Sequence, residues 1–294
     1  MRILHLDAGK SLRGGQHQVL HLLRALQPHG IEPQLLAPPD SPLFEHARLL
    51  GFDVSPLSWR SLRANSPNFD LVHCHDARSH SLAALWCRVP FVVARRVAFP
   101  IHTGSISRWK YGRAALYLAV SGAVRRQLLA AGVPEFRITV VPDCTPLPAS
   151  LSTLHGPIVA IASTDPRKGA PLLRQTGLDI HFSDHLAADL LHARAFVYIT
   201  ESEGLGSAVL LAMAHGVPVV ASDIGGLPEI VRHEETGLLV PNDPAAIVQA
   251  VSRLDSDPSL CARLTANARR LVEERFTIER VADATLAAYR RVLA

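Results

Sequence analysis

Short runs of β-branched and apolar residues alternate along the chain with longer segments in which apolar positions recur every three or four residues. That alternation is the pattern of a parallel sheet covered by helices. In the front half the runs predict strands near residues 3–7, 33–37, 53–57, 71–74, 91–97, 116–120 and 138–141. The clearest helix is predicted over 15–28, where Val19, Leu20, Leu22, Leu23 and Leu26 form one apolar stripe and Gly30 supplies the stop. Residues 142–157 carry Pro, Ser, Thr and Leu without periodicity, as a linker does. A second series then predicts strands near 158–162, 179–182, 196–200, 217–221 and 238–240, followed by helices over 244–254, 259–275 and 278–293. The expected fold class is α/β: two Rossmann-like doubly wound domains facing a cleft, residues 1–150 and 151–294, with the final helices able to return to the first domain.

Composition narrows the function classes. With 48% hydrophobic and 19% charged residues over 294 positions, the chain can build sizeable cores and is too apolar for a disordered tail. Cys74, Cys87, Cys144 and Cys261 include no C-x-x-C pair, so neither a zinc site nor a disulfide framework is suggested and a reducing compartment is expected. The apolar stretch behind Met1 is too short for a secretory signal, and the mature chain is expected to begin there. The run free of charges from 204 to 222 approaches membrane-spanning length, but Gly206, Gly216 and Pro218 break it into helix, turn and strand. Charge is uneven: residues 1–150 hold 17 Lys and Arg against 9 Asp and Glu, a balance of +8, and the remainder 13 against 17, a balance of −4. A basic front half suits an anionic partner or membrane surface, or is simply a solvated face, and no aromatic-studded basic run points to nucleic acid.

Several strand-end loops could carry chemistry. The first, 7–15, places Gly14 and Gly15 before the first helix, where bare amides bind phosphate or hydroxyl groups; a structural tight turn is an equal reading. It matches neither the dinucleotide fingerprint nor the P-loop. At the end of the fourth strand, alternation points His73 and His75 to one side; with no further ligands at a recognised spacing, no metal is expected there. Arg95 and Arg96 end the next strand and would suit an anion. In the second half Arg167 and Lys168 sit at a strand-to-helix loop, and Lys168 is one of only three lysines in the chain. A cation there would neutralise phosphate. The sharpest signal runs from Thr200 to Ala221: an acidic loop bearing Glu203 and Gly204 leads to a helix starting at about Gly206, whose free amides suit a diphosphate. Glu229 follows Pro228 at a second such loop, where capping is the simpler role. Asp255-Ser256-Asp257 matches D-x-D but falls between late helices, as a solvated turn would.

The run S-E-G-L-G-x4-L-A-M-A-x-G-V-P-V-V-A-S-x-x-G-G-x-P-E from Ser202 to Glu229, followed by Thr236-Gly237-Leu238-Leu239-Val240, resembles the C-terminal domain of family 4 glycosyltransferases, which have the two-Rossmann GT-B fold. Gly14-Gly15, Val72-His73-Cys74-His75, Ala119-Val120-Ser121 and Val140-Val141-Pro142 resemble that family's N-terminal domain in the expected order. The likeness implies transfer of a sugar from a nucleotide-diphosphate donor to a hydroxyl acceptor with retention of configuration, with no metal and no other cofactor. It implies that Glu203 holds hydroxyls of the donor sugar and that His75 contacts the sugar near the reacting carbon. Gly14, Gly15, Arg167, Lys168, Gly204, Leu205, Gly206, Ser207 and Leu211 are then donor-binding positions, and Arg95 and Arg96 acceptor-binding ones. The basic first half suits an envelope glycan, lipopolysaccharide-like or lipid-linked acceptor, handled in the cytoplasm with peripheral contact at the inner face of an anionic membrane.

Three positions depart from the family pattern. Leu211 stands where a second glutamate usually holds the nucleotide ribose, Ser163 stands where an arginine usually precedes the lysine, and the stretch between Lys168 and Phe196 is short. These departures keep open an alternative, a catalytically silent relative serving as a partner subunit or sugar-binding module. A nucleotide-sugar epimerase on the same architecture ranks third, because its acid-base side chains have no clear counterpart.

Overall fold

The computed structural model describes residues 1–102 and 104–294 and divides into two compact units, Met1–Asp143 with Ile278–Ala294, and Cys144–Thr277. The first unit holds a seven-stranded parallel sheet of β1 (Arg2–Leu6), β2 (Glu32–Ala37), β3 (Asp53–Pro56), β4 (Leu71–Cys74), β5 (Phe91–Arg95), β6 (Leu116–Ala119) and β7 (Ile138–Val140), in the order β3-β2-β1-β4-β5-β6-β7. The second holds a five-stranded parallel sheet of β8 (Ile158–Ile161), β9 (Ile180–Ser183), β10 (Ala195–Tyr198), β11 (Val219–Ser222) and β12 (Leu238–Val240), in the order β12-β11-β10-β8-β9. The central strands are buried along their whole length, as strands covered on both faces must be, and this is why they read as short continuous apolar runs.

In each sheet the strand order reverses once, between β1 and β4 in the first and between β8 and β10 in the second. Loops leaving the carboxyl ends on either side of such a reversal diverge and leave a crevice. The chain therefore brings the loop after β1 near the loop after β4, and the loop after β8 near the loop after β10.

Helix boundaries follow local chemistry. The Gly14–Leu26 helix buries Val19, Leu20, Leu22, Leu23 and Leu26, passes into a single 3-10 turn, and stops at Gly30, whose φ of +68° is open to glycine at little cost. The Pro258–Arg275 helix starts at Asp257, whose carboxylate accepts from the Leu260 amide. Asp255 pairs with Arg194 at 3.2 Å, so the D-x-D stretch is a helix-to-helix turn.

The proline-rich stretch after Asp143 belongs to the second unit because its polar groups are bonded there. The Thr145 amide donates to the Phe276 carbonyl, Ser152 Oγ to the Ala193 carbonyl, and the Gly156 amide to the His192 carbonyl. Ile278–Leu293 buries Val281, Ala282, Leu286, Ala288 and Tyr289 and belongs to the first unit, packing along the Gly14–Leu26 helix. No helix among the described residues is long and apolar enough to cross a membrane.

Candidate functional site

In the second unit, Asp165 opens the loop after β8 by capping a 3-10 turn, Pro166–Lys168. Its carboxylate accepts from the Arg167 amide at 3.1 Å and from the Arg167 guanidinium at 3.0 and 2.8 Å, and this pairing holds Asp165 below the usual carboxylate range. Arg167 is thus turned back on its own loop. Lys168 instead reaches the loop after β10, where Nζ lies 2.8 Å from Glu203 Oε2 and 3.3 Å from the Tyr198 hydroxyl. Tyr198 also donates to Glu203 Oε2, and Glu203 Oε1 accepts from the Gly204 amide at 3.0 Å. Burial, and next the Glu203 charge, push the Tyr198 phenol well up, so it stays a donor.

Glycines set this geometry. Gly169 has φ +76°, and a Cβ there would lie 2.3 Å from the Ile199 carbonyl oxygen, so the loop after β8 sits directly on the strand end that carries Glu203. Gly225 has φ +62°, a Cβ would lie 2.1 Å from the Glu203 carbonyl oxygen, and the next amide, Gly226, donates to that same oxygen at 3.1 Å. Gly225 and Gly226 therefore clasp the backbone of Glu203, while Gly169 lets the lysine-bearing loop rest on Ile199 just ahead of it. Gly206 precedes the Ser207–Ala214 helix, in which no side chain of the described residues caps the first turn and no acidic residue occupies it. Its amides are available to an anion. Leu205 is buried, whereas Ser207 and Leu211, one helical turn apart, are half-buried on the same face. Glu229 lies in the short 3-10 turn Leu227–Glu229.

Tyr198 is the residue that sequence reasoning passed over. It closes the buried strand Ala-Phe-Val-Tyr and reads as one more apolar position, although a hydroxyl at the carboxyl end of a strand flanking a reversal was the available signal. We expect Tyr198→Phe to leave the Lys168–Glu203 pair in place while loosening the carboxylate. Donor affinity should fall by roughly three- to tenfold, the worth of about one hydrogen bond, as read by calorimetry with a nucleotide sugar.

In the first unit, His75 follows β4 and is buried with His5 of β1 and His73 of β4, which pair in register. His5 Nδ1 and His75 Nε2 share a hydrogen bond of 2.9 Å, and His73 Nδ1 bonds the hydroxyl of Tyr289 on the returning helix at 2.7 Å. The ring centroids of His73 and His75 are 4.0 Å apart, as strand alternation required. Candidate ligand atoms of the three imidazoles lie within 4.8 Å of one another. The Arg96 guanidinium, 3.4 Å from His75 Nδ1, works against a cation there.

Burial lowers the pKa of all three histidines, that of His5 to about 3, with neighbouring rings and Arg96 adding to the effect on His73 and His75. Because the folded values lie below the unfolded value near 6.5, the unfolded chain binds more protons below that pH, and stability falls as pH drops through it. Each such histidine costs about 1.4 kcal/mol per pH unit below that value. Thermal unfolding between pH 7 and pH 5 should therefore steepen toward acid, and His5→Gln should flatten the trend; an unchanged slope would contradict neutral buried rings.

The glycine loop after β1 holds a different constraint from the one its sequence suggested. Gly15 has open space around it, whereas a Cβ on Gly9 would lie 2.5 Å from Gln16 Nε2 and 2.8 Å from Asp7 Oδ1. Gly14 begins the helix and is exposed. Asp76 caps the Ala77–Trp86 helix and accepts from the Ala8 amide at 2.7 Å, tying the two loops of the reversal together. Arg95 and Arg96 do not act as a pair: Arg96 forms a 3.0 Å ion pair with Asp143, and Arg95 donates to Tyr111 Oη at 2.9 Å and to the Phe99 carbonyl at 2.7 Å.

Comparison with known proteins accords with this architecture. A Xenopus tropicalis protein named glycosyltransferase 1 domain-containing protein 1 is 40% identical over 94 residues, which cover 32% of this chain and 27% of that protein. A D-inositol 3-phosphate glycosyltransferase of Streptomyces bingchenggensis is 37% identical over 107 residues, 36% of this chain and 23% of that protein. The match thus spans about a quarter of the length of these curated relatives. The crystal structure of Anabaena HepE in complex with UDP and glucose shares the fold, with a TM-score of 0.88 at 15% identity over 98% of this chain and 99% of that one. Residues 12–147 match the family described as Glycosyltransferase Family 4, and residues 158–257 match Glycosyl transferases group 1. The first strand-helix series thus matches a family 4 glycosyltransferase domain and the second a group 1 glycosyl transferase domain, and the two together have the two-Rossmann GT-B fold.

Proposed function

We propose that the chain is a glycosyltransferase that moves a sugar from a nucleotide-diphosphate donor to a hydroxyl acceptor, with retention of configuration and without an obligatory metal. The observation that carries this reading is the Lys168–Glu203 pair, held at the reversal of the second sheet just before the uncapped Ser207–Ala214 helix. As the glycosidic bond breaks, negative charge gathers on the leaving diphosphate. A lysine ammonium and free helix amides are fixed donors for that charge and supply what a metal would otherwise supply. Glu203 Oε1 and Oε2 present acceptors to sugar hydroxyls. Arg167 assists once its partner Asp165 releases it. His75, neutral through burial, is the first unit's candidate for contact with the sugar.

The donor ribose is held by groups other than a side chain at 211, since Leu211 offers no acceptor for ribose hydroxyls. The UDP in the HepE complex makes UDP-sugars the first donors to try. The acceptor is an envelope glycan or a lipid-linked sugar, in keeping with the basic first half.

The test is a panel of UDP-, GDP- and ADP-sugars incubated with the full chain, with release of free nucleoside diphosphate measured in the presence and absence of candidate acceptors. Acceptor-dependent release supports transfer. The Leu211 substitution favours one second reading, a silent relative; nucleotide binding without turnover on any acceptor would select it.

A further inference from the structure

His75 has a partner at each ring nitrogen. Nε2 lies 2.9 Å from His5 Nδ1, and Nδ1 lies 3.4 Å from Arg96 Nη1. A guanidinium donates and never accepts. Nδ1 of His75 is therefore the bare, accepting nitrogen, and the single ring proton of the neutral imidazole falls on Nε2, which donates it to His5 Nδ1. His5 in turn carries its own proton on Nε2, a buried nitrogen with no hydrogen-bond partner among the described residues. The opposite order would set an Nδ1–H of His75 against the N–H of Arg96, two donors facing each other beside a full positive charge. The order of protons along Arg96, His75 and His5 is thus set from its charged end.

Packing holds the ring of His75 and leaves the proton to Arg96. The His5 and His75 rings lie 5.2 Å apart centre to centre with 9° between their planes, side by side as an in-plane N–H···N bond requires. The His73 ring packs on His75 from another direction at 4.0 Å, and its own Nδ1 is taken by Tyr289, so it stands outside this chain of protons. Arg96 is held in its turn. Its Nε lies 3.0 Å from Asp143 Oδ1, with the two side chains only 19% and 11% exposed, and Nη1 is left to His75, where it also lies 3.5 Å from the backbone carbonyl oxygen. Burial, and then the neighbouring His73 and Arg96, hold the His75 pKa well below its ordinary value, so the ring is neutral.

We propose that Arg96 is a positioning residue: anchored by Asp143, it donates to His75 Nδ1 and fixes His75 in the form protonated at Nε2, so that His75 serves the sugar with its proton committed to His5 and its Nδ1 kept as an acceptor. Arg96, which the sequence offered to an acceptor substrate, is turned inward, and its charge acts on the reaction through His75. The effect on turnover rests on the glycosyltransferase reading; the order of the protons stands apart from it.

Long-range proton–nitrogen correlation NMR at neutral pH reads the protons directly, on the full chain with the imidazole nitrogens of its histidines labelled and His75 assigned by its loss in His75→Gln. His75 should show one protonated and one bare nitrogen, the bare one being Nδ1. Arg96→Lys keeps a group that only donates and should keep that pattern. Arg96→Gln brings an amide able to donate or accept, and the two His75 nitrogens should move toward averaged shifts. Arg96→Gln combined with Asp143→Asn removes both charges together, guards against misfolding around a buried carboxylate, and should give the same averaging. With a donor found by nucleotide release, kcat should fall roughly tenfold in both Gln variants, the worth of about one hydrogen bond, with UDP affinity unchanged, and Arg96→Lys should retain most of the activity. A wild-type His75 protonated at Nδ1, or an unaltered pattern in both Gln variants, overturns the proposal. Averaged shifts at full turnover would overturn the role of Arg96 in the reaction. The expected shifts in a chain that turns over no donor would instead remove the glycosyltransferase reading and leave the order of the protons standing.

Discussion

Replacing Lys168 with alanine is expected to weaken donor binding by roughly ten- to a hundredfold, corresponding to about 1–3 kcal/mol for one charge-assisted contact to phosphate. Turnover should fall further, by about a hundredfold or more, because the charge that Lys168 meets is larger at the transition state than in the bound donor. The fold should tolerate the change. The lysine side chain is 37% exposed, so its ion pair with Glu203 contributes little to stability, and the Glu203 carboxylate keeps Tyr198 and the Gly204 amide as donors. Lys168→Arg should rescue only partly, since a planar fork cannot reproduce the point contact that Nζ makes with both Tyr198 and Glu203. Calorimetry with UDP and initial rates with the best donor measure the two effects separately. Unchanged UDP affinity in Lys168→Ala, with the variant folded, would move the diphosphate away from this loop and the proposed mechanism with it.

The sheets were legible because burial on both faces leaves a strong mark. Runs such as Phe-Val-Val-Ala in β5 and Val-Val-Ala-Ser in β11 stand out against polar helices, and their carboxyl ends lie within a residue or two of the expected positions. What periodicity cannot carry is the partner of a surface. The stripe on Ile278–Leu293 announces an amphipathic helix, but only the contact of Tyr289 with His73, 216 residues away, tells which sheet it covers. The same holds for Arg96, which looked like a free cation beside Arg95. Its partner Asp143 stands 47 residues on, and nothing local relates the two.

The site was legible in its charges and opaque in its scaffolding. Glu203 and Lys168 were conspicuous as polar residues at strand ends, one of them a rare lysine, and the structure brings them within 2.8 Å. Gly9 and Tyr198, which hold neighbouring groups in place, were not. A glycine with φ below zero and a tyrosine in an apolar strand carry no local oddity; their constraint arises only from atoms brought close by the fold, Gln16 in one case and Glu203 in the other. A strand-end loop is thus readable where it meets solvent or ligand, and unreadable where it meets the rest of the chain.

That coupling yields the prediction with the largest structural effect. Gly225→Ala should destabilise the second unit by about 3 kcal/mol or more and reduce donor affinity at least tenfold, although Gly225 itself offers no group to a ligand. Two costs add. The backbone at φ +62° is left-handed, which costs an alanine about 1–2 kcal/mol. The new methyl would also lie 2.1 Å from the carbonyl oxygen of Glu203 and 3.2–3.3 Å from its carbonyl carbon and nitrogen, all backbone atoms that cannot rotate away. The loop must therefore retreat, and the Gly226 amide that bonds the same oxygen retreats with it. Gly216→Ala provides the comparison: its φ is +70°, yet the nearest atom to the added methyl is Leu151 Cδ2 at 3.5 Å, an ordinary contact. Only the backbone cost should appear there, with donor binding intact. Thermal unfolding and UDP calorimetry on both variants isolate the clash. If Gly225→Ala proved no worse than Gly216→Ala in either measurement, the clasp would not be what holds Glu203 against Lys168, and the carboxylate would have to be positioned by Tyr198 and the lysine alone.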